Sequence, residues 1–275
     1  SAASDVYKRQ VLFIQGLGAD KNLWNMQRLW FARNYRVIAH DNRGAGRSDR
    51  PFGDYTLEQM ADDAIAVLDH AGIDTAHIVG ASMGGAITQV IGVLHPERVR
   101  SLTLACTSCS NHPWRVELLS EWADVARRDG MGAMSKHAAR WMIGPRSLRR
   151  LSPAMSIIGT IARSNESHGF LGQVHAILGA DPGLSERLRE ITAPTCVIVG
   201  GQDVLTPRGD SEEIADRIAT AELNVLSGAA HGLMIEHATT FNRVLGDFLG
   251  RAERTWQHTS AGTTPRHLRV VRNAS

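Results

Sequence analysis

Apolar and polar positions along this chain follow two rhythms. Val11-Leu12-Phe13-Ile14 is a short apolar run, and comparable segments recur at Tyr35 to His40, Ile78-Val79, Val99 to Ala105, Thr195 to Val199 and Ala221 to Leu226. Short apolar, β-branched runs bounded by glycine turns predict strands, and the most apolar of them predict strands buried on both faces. Between them the period lengthens. Asn22 to Phe31 sets Leu23, Trp24, Met26, Leu29 and Trp30 at helical spacing. Thr56 followed by Gln59 is a capping box; the helix it opens carries Leu57, Met60, Ala61, Ala64, Ile65 and Leu68 on one face, and Gly72 ends it. Further helices are predicted from the turn after Ala81 to about His95-Pro96, over Glu212 to Ile218, and over Phe241 to Leu249. Strand and helix in alternation predict an α/β fold, a mostly parallel central sheet with helices on both faces.

From Ser110 to Leu188 the strand pattern is replaced by helical spacing, with Trp114, Leu118, Leu119, Trp122 and Val125, then Met131, Met134, Ala138, Trp141 and Met142. Residues 110–188 are therefore read as an inserted helical cap at the C-terminal edge of the sheet, where open α/β sheets bind ligands. Its tryptophans and methionines either line a pocket or pack the cap against the body. The core is then 11–109 and 189–250. Residues 1–10 are polar and join abruptly to the first strand, as a non-native scar would. Residues 251–275 are basic and aperiodic, and are expected to be a disordered or non-native tail.

Composition narrows the classes. The 275 residues are 43% hydrophobic and 21% charged with a net charge of +2, which gives no electrostatic case for nucleic acid or an anionic membrane surface. No apolar run reaches spanning length, and residues 1–10 hold no secretory core segment. Cys106, Cys109 and Cys196 make no disulfide framework, and the C-x-x-C spacing of the first two lacks the second ligand pair that zinc requires, so a reducing, cytoplasmic setting is expected.

The chemistry gathers at Gly80-Ala81-Ser82-Met83-Gly84, which fits G-x-S-x-G between a strand and a helix. Serine at the apex of such a turn is a nucleophile candidate; a plain helix cap is the alternative. A hydroxyl needs a base, and the base needs an orienting acid. His231, in a glycine-flanked loop after the last predicted strand, is the leading base, with His237, His175, His168 and His40 as competitors. Asp203, just past the strand at Thr195, is the leading acid, with Asp181 and Asp210 as competitors. The oxyanion donors expected are the backbone N–H groups of Met83 and of Leu17, in the glycine turn after the first strand. The loop Asp41 to Asp49 has neither phosphate-loop spacing and is read as a structural turn tied by Arg43 and Asp41.

With Gln15-Gly16-Leu17-Gly18, Asp41 to Ser48, Gly80 to Gly85, His95 to Val99, Gly201-Gln202-Asp203 and Ala230-His231-Gly232 in view, residues 11–250 resemble the α/β-hydrolase superfamily. Within it the chain is most similar to the 3-oxoadipate enol-lactonase and cofactor-free haloperoxidase-like group. The order Ser82, Asp203, His231 is the family's order. Two departures stand out. Gln15-Gly16 replaces the frequent His-Gly, and the antiparallel hairpin that usually precedes the first strand is absent. The second suggests N-terminal truncation, an exposed sheet edge and lowered stability. The resemblance implies a serine hydrolase that cleaves a small-molecule carboxylic ester or lactone through an acyl-enzyme. It implies no metal, no organic cofactor, and neither nucleic acid nor membrane as partner. C–C bond hydrolysis, acyl transfer or perhydrolysis on the same triad, and a non-catalytic ligand receptor, remain open on the sequence.

Overall fold

The computed structural model describes residues 9–144 and 167–262. Six strands form one sheet in the order β2-β1-β3-β4-β5-β6, all parallel among the described residues. They are β1 (Arg9–Ile14), β2 (Tyr35–Ala39), β3 (Ala76–Ala81), β4 (Val99–Ala105), β5 (Thr195–Gly200) and β6 (Ala221–Leu226). The predicted fold class holds. β1 starts at Arg9, so Arg9 and Gln10 belong to the sheet rather than to the polar leader expected over 1–10, because Arg9 is registered against Tyr35.

The apolar runs of the four inner strands are buried on both sides, and those of the edge strands β2 and β6 only in part. Val11 and Phe13 of β1, Val79 of β3, and Cys196 and Ile198 of β5 pack on one face with Trp24, Phe31, Phe241 and Leu245. Leu12, Ile14, Ile78 and Val197 pack on the other with Leu57, Leu68, Ile87 and Ile91. A strand's two-residue repeat sends neighbours to opposite faces, and two helical layers are needed to cover both. These layers are α1 (Asn25–Phe31) and the closing helix on the first face, with α2 (Leu57–His70) and α3 (Met83–Leu94) on the second. The Thr56–Gln59 capping box forms, and all six residues predicted for the inner face of α2 are buried.

Over the predicted cap lie α4 (Pro113–Asp129), α5 (Met131–Met142), α6 (Ser167–Leu178) and the single turn α7 (Leu184–Arg187). The punctuation at Gly144-Pro145 and Ser152-Pro153 falls largely in 145–166, outside the described residues. Leu118, Trp122, Met131, Met134, Phe170 and Val174 form a separate small core between these helices. The rest of the sheet layer is α8 (Arg208–Arg217), the short α9 (Leu233–Glu236) and α10 (Ala238–Gly262). α10 runs past the boundary expected at 250. Ala252 is buried against the body and the Glu253 carboxylate meets His77 and Arg100, so 251–262 continues the helix, packed at Ala252 and Glu253, rather than forming a disordered tail. The polar composition that suggested a tail belongs to this helix's outer face and to residues beyond 262, which lie outside the described residues. No described helix is long and apolar enough to cross a membrane.

Candidate active site

β3 and α3 must cross at very short range around Ser82. A Cβ added to Gly80 would stand 2.1 Å from the Gly84 carbonyl oxygen and 2.3 Å from Thr88 Oγ1, so only hydrogen fits there. The residue between them is forced out of the ordinary basins: Ser82 has φ 55° and ψ −121°. Such a conformation costs on the order of 1–3 kcal/mol and persists only where its surroundings over-determine it. Here they do. Ser82 N–H donates to the Ala105 carbonyl at 2.9 Å, and the Ser82 carbonyl accepts from Gly85 N–H at 2.8 Å, Ala86 N–H at 3.1 Å and Thr107 Oγ1 at 2.8 Å. The side chain is left facing a cavity of about 120 Å³.

Gln15, Leu17, Met83, Thr206 and His231 line the same cavity. Since every strand runs the same way, the loops after β1, β3, β5 and β6 share one edge of the sheet. That edge brings four of the five sequence-predicted site residues to the cavity wall, with Asp203 directly behind. Asp203 and His231 are both buried, and His231 Nδ1 lies 2.9 Å from Asp203 Oδ2. Nε2 of His231 is buried with no partner among the described residues.

Asp203 is held on all sides. Its Oδ1 accepts from the N–H groups of Leu205 and Thr206, each at 2.9 Å, and its Oδ2 accepts from the Thr206 hydroxyl at 2.9 Å besides His231. Burial alone would raise its pKa. The His231 charge, the His231 bond and the Thr206 donors outweigh that burial, and the carboxyl ionises below its ordinary range.

The loop after β1 lies against Ser82: a Cβ on Gly16 would come within 3.0 Å of Ser82 Cβ. Its amides are almost fully committed. Gly16 N–H donates to the Gln15 side-chain oxygen at 2.8 Å, Gly18 N–H to Gln173 Oε1 at 2.8 Å, and Ala19 N–H to the Gly16 carbonyl at 3.3 Å. Leu17 N–H takes no acceptor among the described residues. Met83 opens α3, so its N–H is one of the first-turn donors that a helix leaves free.

The competitors lie elsewhere. His168 meets the Arg50 carbonyl and stacks on Phe52, His175 faces Tyr55 and Asp54, and half-buried His40 has both ring nitrogens buried and its pKa pushed down by desolvation. His237 caps α9, beyond the cavity wall. Asp181 caps its own turn at Gly183, and Asp210 pairs with Arg115 and His112. Of the cap residues, Leu119, Trp122, Met142 and Ile177 reach the cavity, whereas Met131 and Met134 pack within the cap and Trp114 stacks with Arg115 at the surface. The Asp41 loop is a structural turn as read: Asp41 takes Lys21 and the Arg47 N–H, while Arg43 makes two bonds to Asp63. Cys106, Cys109 and Cys196 are free.

Four side chains at this edge escaped the sequence reading. Thr206, three residues after Asp203, carried a weak signal as a hydroxyl in an Asx-type turn. Arg115 of α4 donates to the Leu205 carbonyl, Glu236 of α9 accepts from the N–H groups of Ala230 and Gly144, and Gln173 of α6 holds Gly18. Arg115 and Gln173 act on loops distant in sequence, and Glu236 ties its own neighbouring loop to Gly144 far back in the chain, so no local pattern announces them.

A strained strand-to-helix serine at the edge of a parallel sheet, sharing a cavity with a hydrogen-bonded histidine–aspartate pair, is the arrangement expected of an α/β hydrolase. The comparisons agree. Residues 10–131 match the α/β hydrolase fold family. The chain is 31% identical to 2-hydroxymuconate semialdehyde hydrolase of Pseudomonas sp. (strain CF600), over 88% of this chain and 87% of that protein. It is 28% identical to 3-oxoadipate enol-lactonase 2 of Acinetobacter baylyi, over 86% of each. The crystal structure of the enol-lactonase from Burkholderia xenovorans LB400 superimposes with a TM-score of 0.84 at 28% identity, covering 88% of this chain and 92% of that one. The chain belongs to the α/β-hydrolase family and is an enzyme of it, and the expected similarity to the enol-lactonase group is borne out.

Proposed function

We propose that the protein is a serine hydrolase acting on a small carboxylic ester or lactone, with Ser82 as nucleophile, His231 as general base and Asp203 as its orienting acid. One observation carries this reading. Ser82 stands in a strained turn on the wall of a cavity that it shares with His231, whose Nδ1 is bonded to the buried, ionised Asp203 and whose Nε2 is left without a protein partner. A general base needs that second nitrogen able to accept the nucleophile's proton, and Ser82 on the same cavity wall is the hydroxyl it would serve. Ser82 Oγ attacks the acyl carbon while His231 Nε2 takes its proton, and the Asp203 carboxylate stabilises the imidazolium that forms. The carbonyl oxygen, now an anion, receives the N–H groups of Leu17 and Met83. On collapse the C–O bond breaks, and His231 returns the proton to the leaving alkoxide. Water, deprotonated by His231, then releases the acid from Ser82. In a lactone the alcohol stays attached to the acyl group, so one ring-opened hydroxy acid leaves.

The small cavity, its apolar cap wall and the enol-lactonase relatives favour a compact acyl group over a long chain. Ser82→Ala is the test, on p-nitrophenyl acetate and a panel of small lactones. Turnover should fall at least about 10³-fold; turnover equal to wild type refutes the assignment. Product analysis with a competing alcohol should yield the free acid, and a predominant new ester would move the reading to acyl transfer.

A further inference from the structure

The loop after β1 carries the Leu17 N–H, yet what fixes this loop lies in the cap. Gln173 on α6 is fully buried. Its Oε1 accepts from Gly18 N–H at 2.8 Å, and its Nε2 donates to the Arg43 carbonyl at 2.7 Å. The two contacts determine the amide's orientation without ambiguity, because an N–H must face the oxygen and a carbonyl must face the NH₂. One side chain thus joins the loop after β1 to the loop after β2. The same segment is held from below, where Asn42 Nδ2 donates to the Gln15 carbonyl at 2.7 Å. Gly18, with φ 67°, offers no side-chain packing of its own to hold the turn.

We infer that Gln173 is a positioning residue for the oxyanion hole: by anchoring Gly18 it aims the neighbouring Leu17 N–H at the site where charge develops beside Ser82. The inference rests on the proposed function above. An oxyanion donor acts through geometry set in advance of the reaction, and its value falls steeply once the donor can swing. Without Gln173, Gly18 N–H and the Arg43 carbonyl each lose this bond, and the tie between the two loops is gone. The loop then relaxes toward other partners, and the amide one residue away moves with it. The cap is accordingly more than a roof over the pocket, since it holds one of the two donors.

Gln173→Met keeps the length and lacks branching but removes both bonds, while Gln173→Glu keeps an acceptor for Gly18 N–H. Both are measured as full-length protein beside Ser82→Ala. The expected result for Gln173→Met is a kcat lower by about 10- to 100-fold, short of the roughly 10²–10³ for outright loss of a donor. KM should stay within about threefold, and affinity for a boronic acid that forms a tetrahedral adduct on Ser82 should weaken by the same ratio as kcat. Gln173→Glu should recover part of that kcat. A Gln173→Met protein without wild-type circular dichroism hands the decision to Gln173→Glu, which should then show a reduced kcat at an unchanged KM. Wild-type kcat in the folded variants, or a rise confined to KM, overturns the positioning role. Turnover surviving in Ser82→Ala instead overturns the underlying reading, so the two failures are told apart.

Discussion

Thr206→Val isolates one hydroxyl. Thr206 Oγ1 donates to Asp203 Oδ2 at 2.9 Å and lies 3.2 Å from His231 Nδ1. Valine keeps the branched shape against the cavity wall and keeps the Thr206 backbone N–H on Asp203 Oδ1, so a single donor is removed and no unpaired polar atom is added. A hydrogen bond to a charged group contributes about 1.5–3 kcal/mol. Asp203 retains three of its four donors, which can tighten around it, so the expected net loss is about 1–2 kcal/mol. If that loss falls where the His231–Asp203 pair becomes an ion pair, it lowers kcat by roughly 5- to 30-fold at about 1.4 kcal/mol per tenfold. KM should hold, since the cavity wall keeps its shape. Initial rates on p-nitrophenyl acetate across a range of substrate concentrations separate the two constants. Thr206→Ser, which restores the hydroxyl, should return kcat to within about threefold of wild type. A Thr206→Val enzyme within twofold of wild type, or an equal fall in Thr206→Ser, would refute the idea that this hydroxyl supports the acid.

Gly80→Ala should remove about 3 kcal/mol or more of stability, beyond ordinary overpacking, because the new methyl meets a backbone carbonyl at 2.1 Å rather than a flexible side chain; an unchanged melting temperature by differential scanning calorimetry would contradict the close crossing of β3 and α3. Stability should also decline on acidification in two stages. Desolvation lowers the pKa values of His40 and His77 in the fold, so the unfolded chain binds more protons below about 6.5 and stability falls from there. Asp203, Asp41 and Glu253 are all depressed because their hydrogen-bond and charge partners outweigh burial. Their contribution is full above an unfolded value of about 4 and is lost as pH drops through the folded values. Thermal melts from pH 8 to pH 3 would show this, and a melting temperature that rises between pH 7 and pH 5 would reverse the sign.

What the sequence disclosed follows the range of the forces involved. The strands were legible because burial on both faces writes a continuous apolar run, and α2 because its cap and its inner face are local. Ser82, Asp203 and His231 were legible because a parallel sheet delivers every βα loop to one edge, so strand ends alone implied their meeting. The extent of α10 was not legible. Its last turns are stabilised by Glu253 meeting His77 and Arg100, and nothing near Glu253 in the sequence points to β3 or β4. Gln173, Arg115 and Glu236 were missed for the same reason in sharper form: each is polar, sits on an unremarkable helix, and gains its role from a partner that only the fold supplies, whereas Thr206 had its partner Asp203 three residues away and only a weak turn signal to mark it.

Those missed residues share a pattern with a consequence for how the cap relates to the chemistry. From α4, Arg115 Nε donates to the carbonyl of Leu205, whose own N–H holds Asp203 Oδ1. From α6, Gln173 holds the loop of Leu17. At the end of α5, the Met142 carbonyl accepts from Gly232 N–H at 2.7 Å, while Gly144 N–H shares the Glu236 carboxylate with Ala230 N–H, so His231 sits between two anchored neighbours. The cap therefore bonds to the acid turn, the histidine loop and the loop after β1. A rigid roof resting on a finished site could be reshaped for a new substrate at no expense to the reaction. A roof whose helices also anchor the loops of Asp203, His231 and Leu17 moves those loops when it moves, and the Arg115 and Glu236 bonds are buried, where losing a partner costs about 1–3 kcal/mol. Substitutions expected to change specificity without disturbing the loops of Asp203, His231 and Leu17 are those at side chains that face the cavity without holding a loop. Leu119, Trp122 and Ile177 meet that condition, and Arg115 and Gln173 do not.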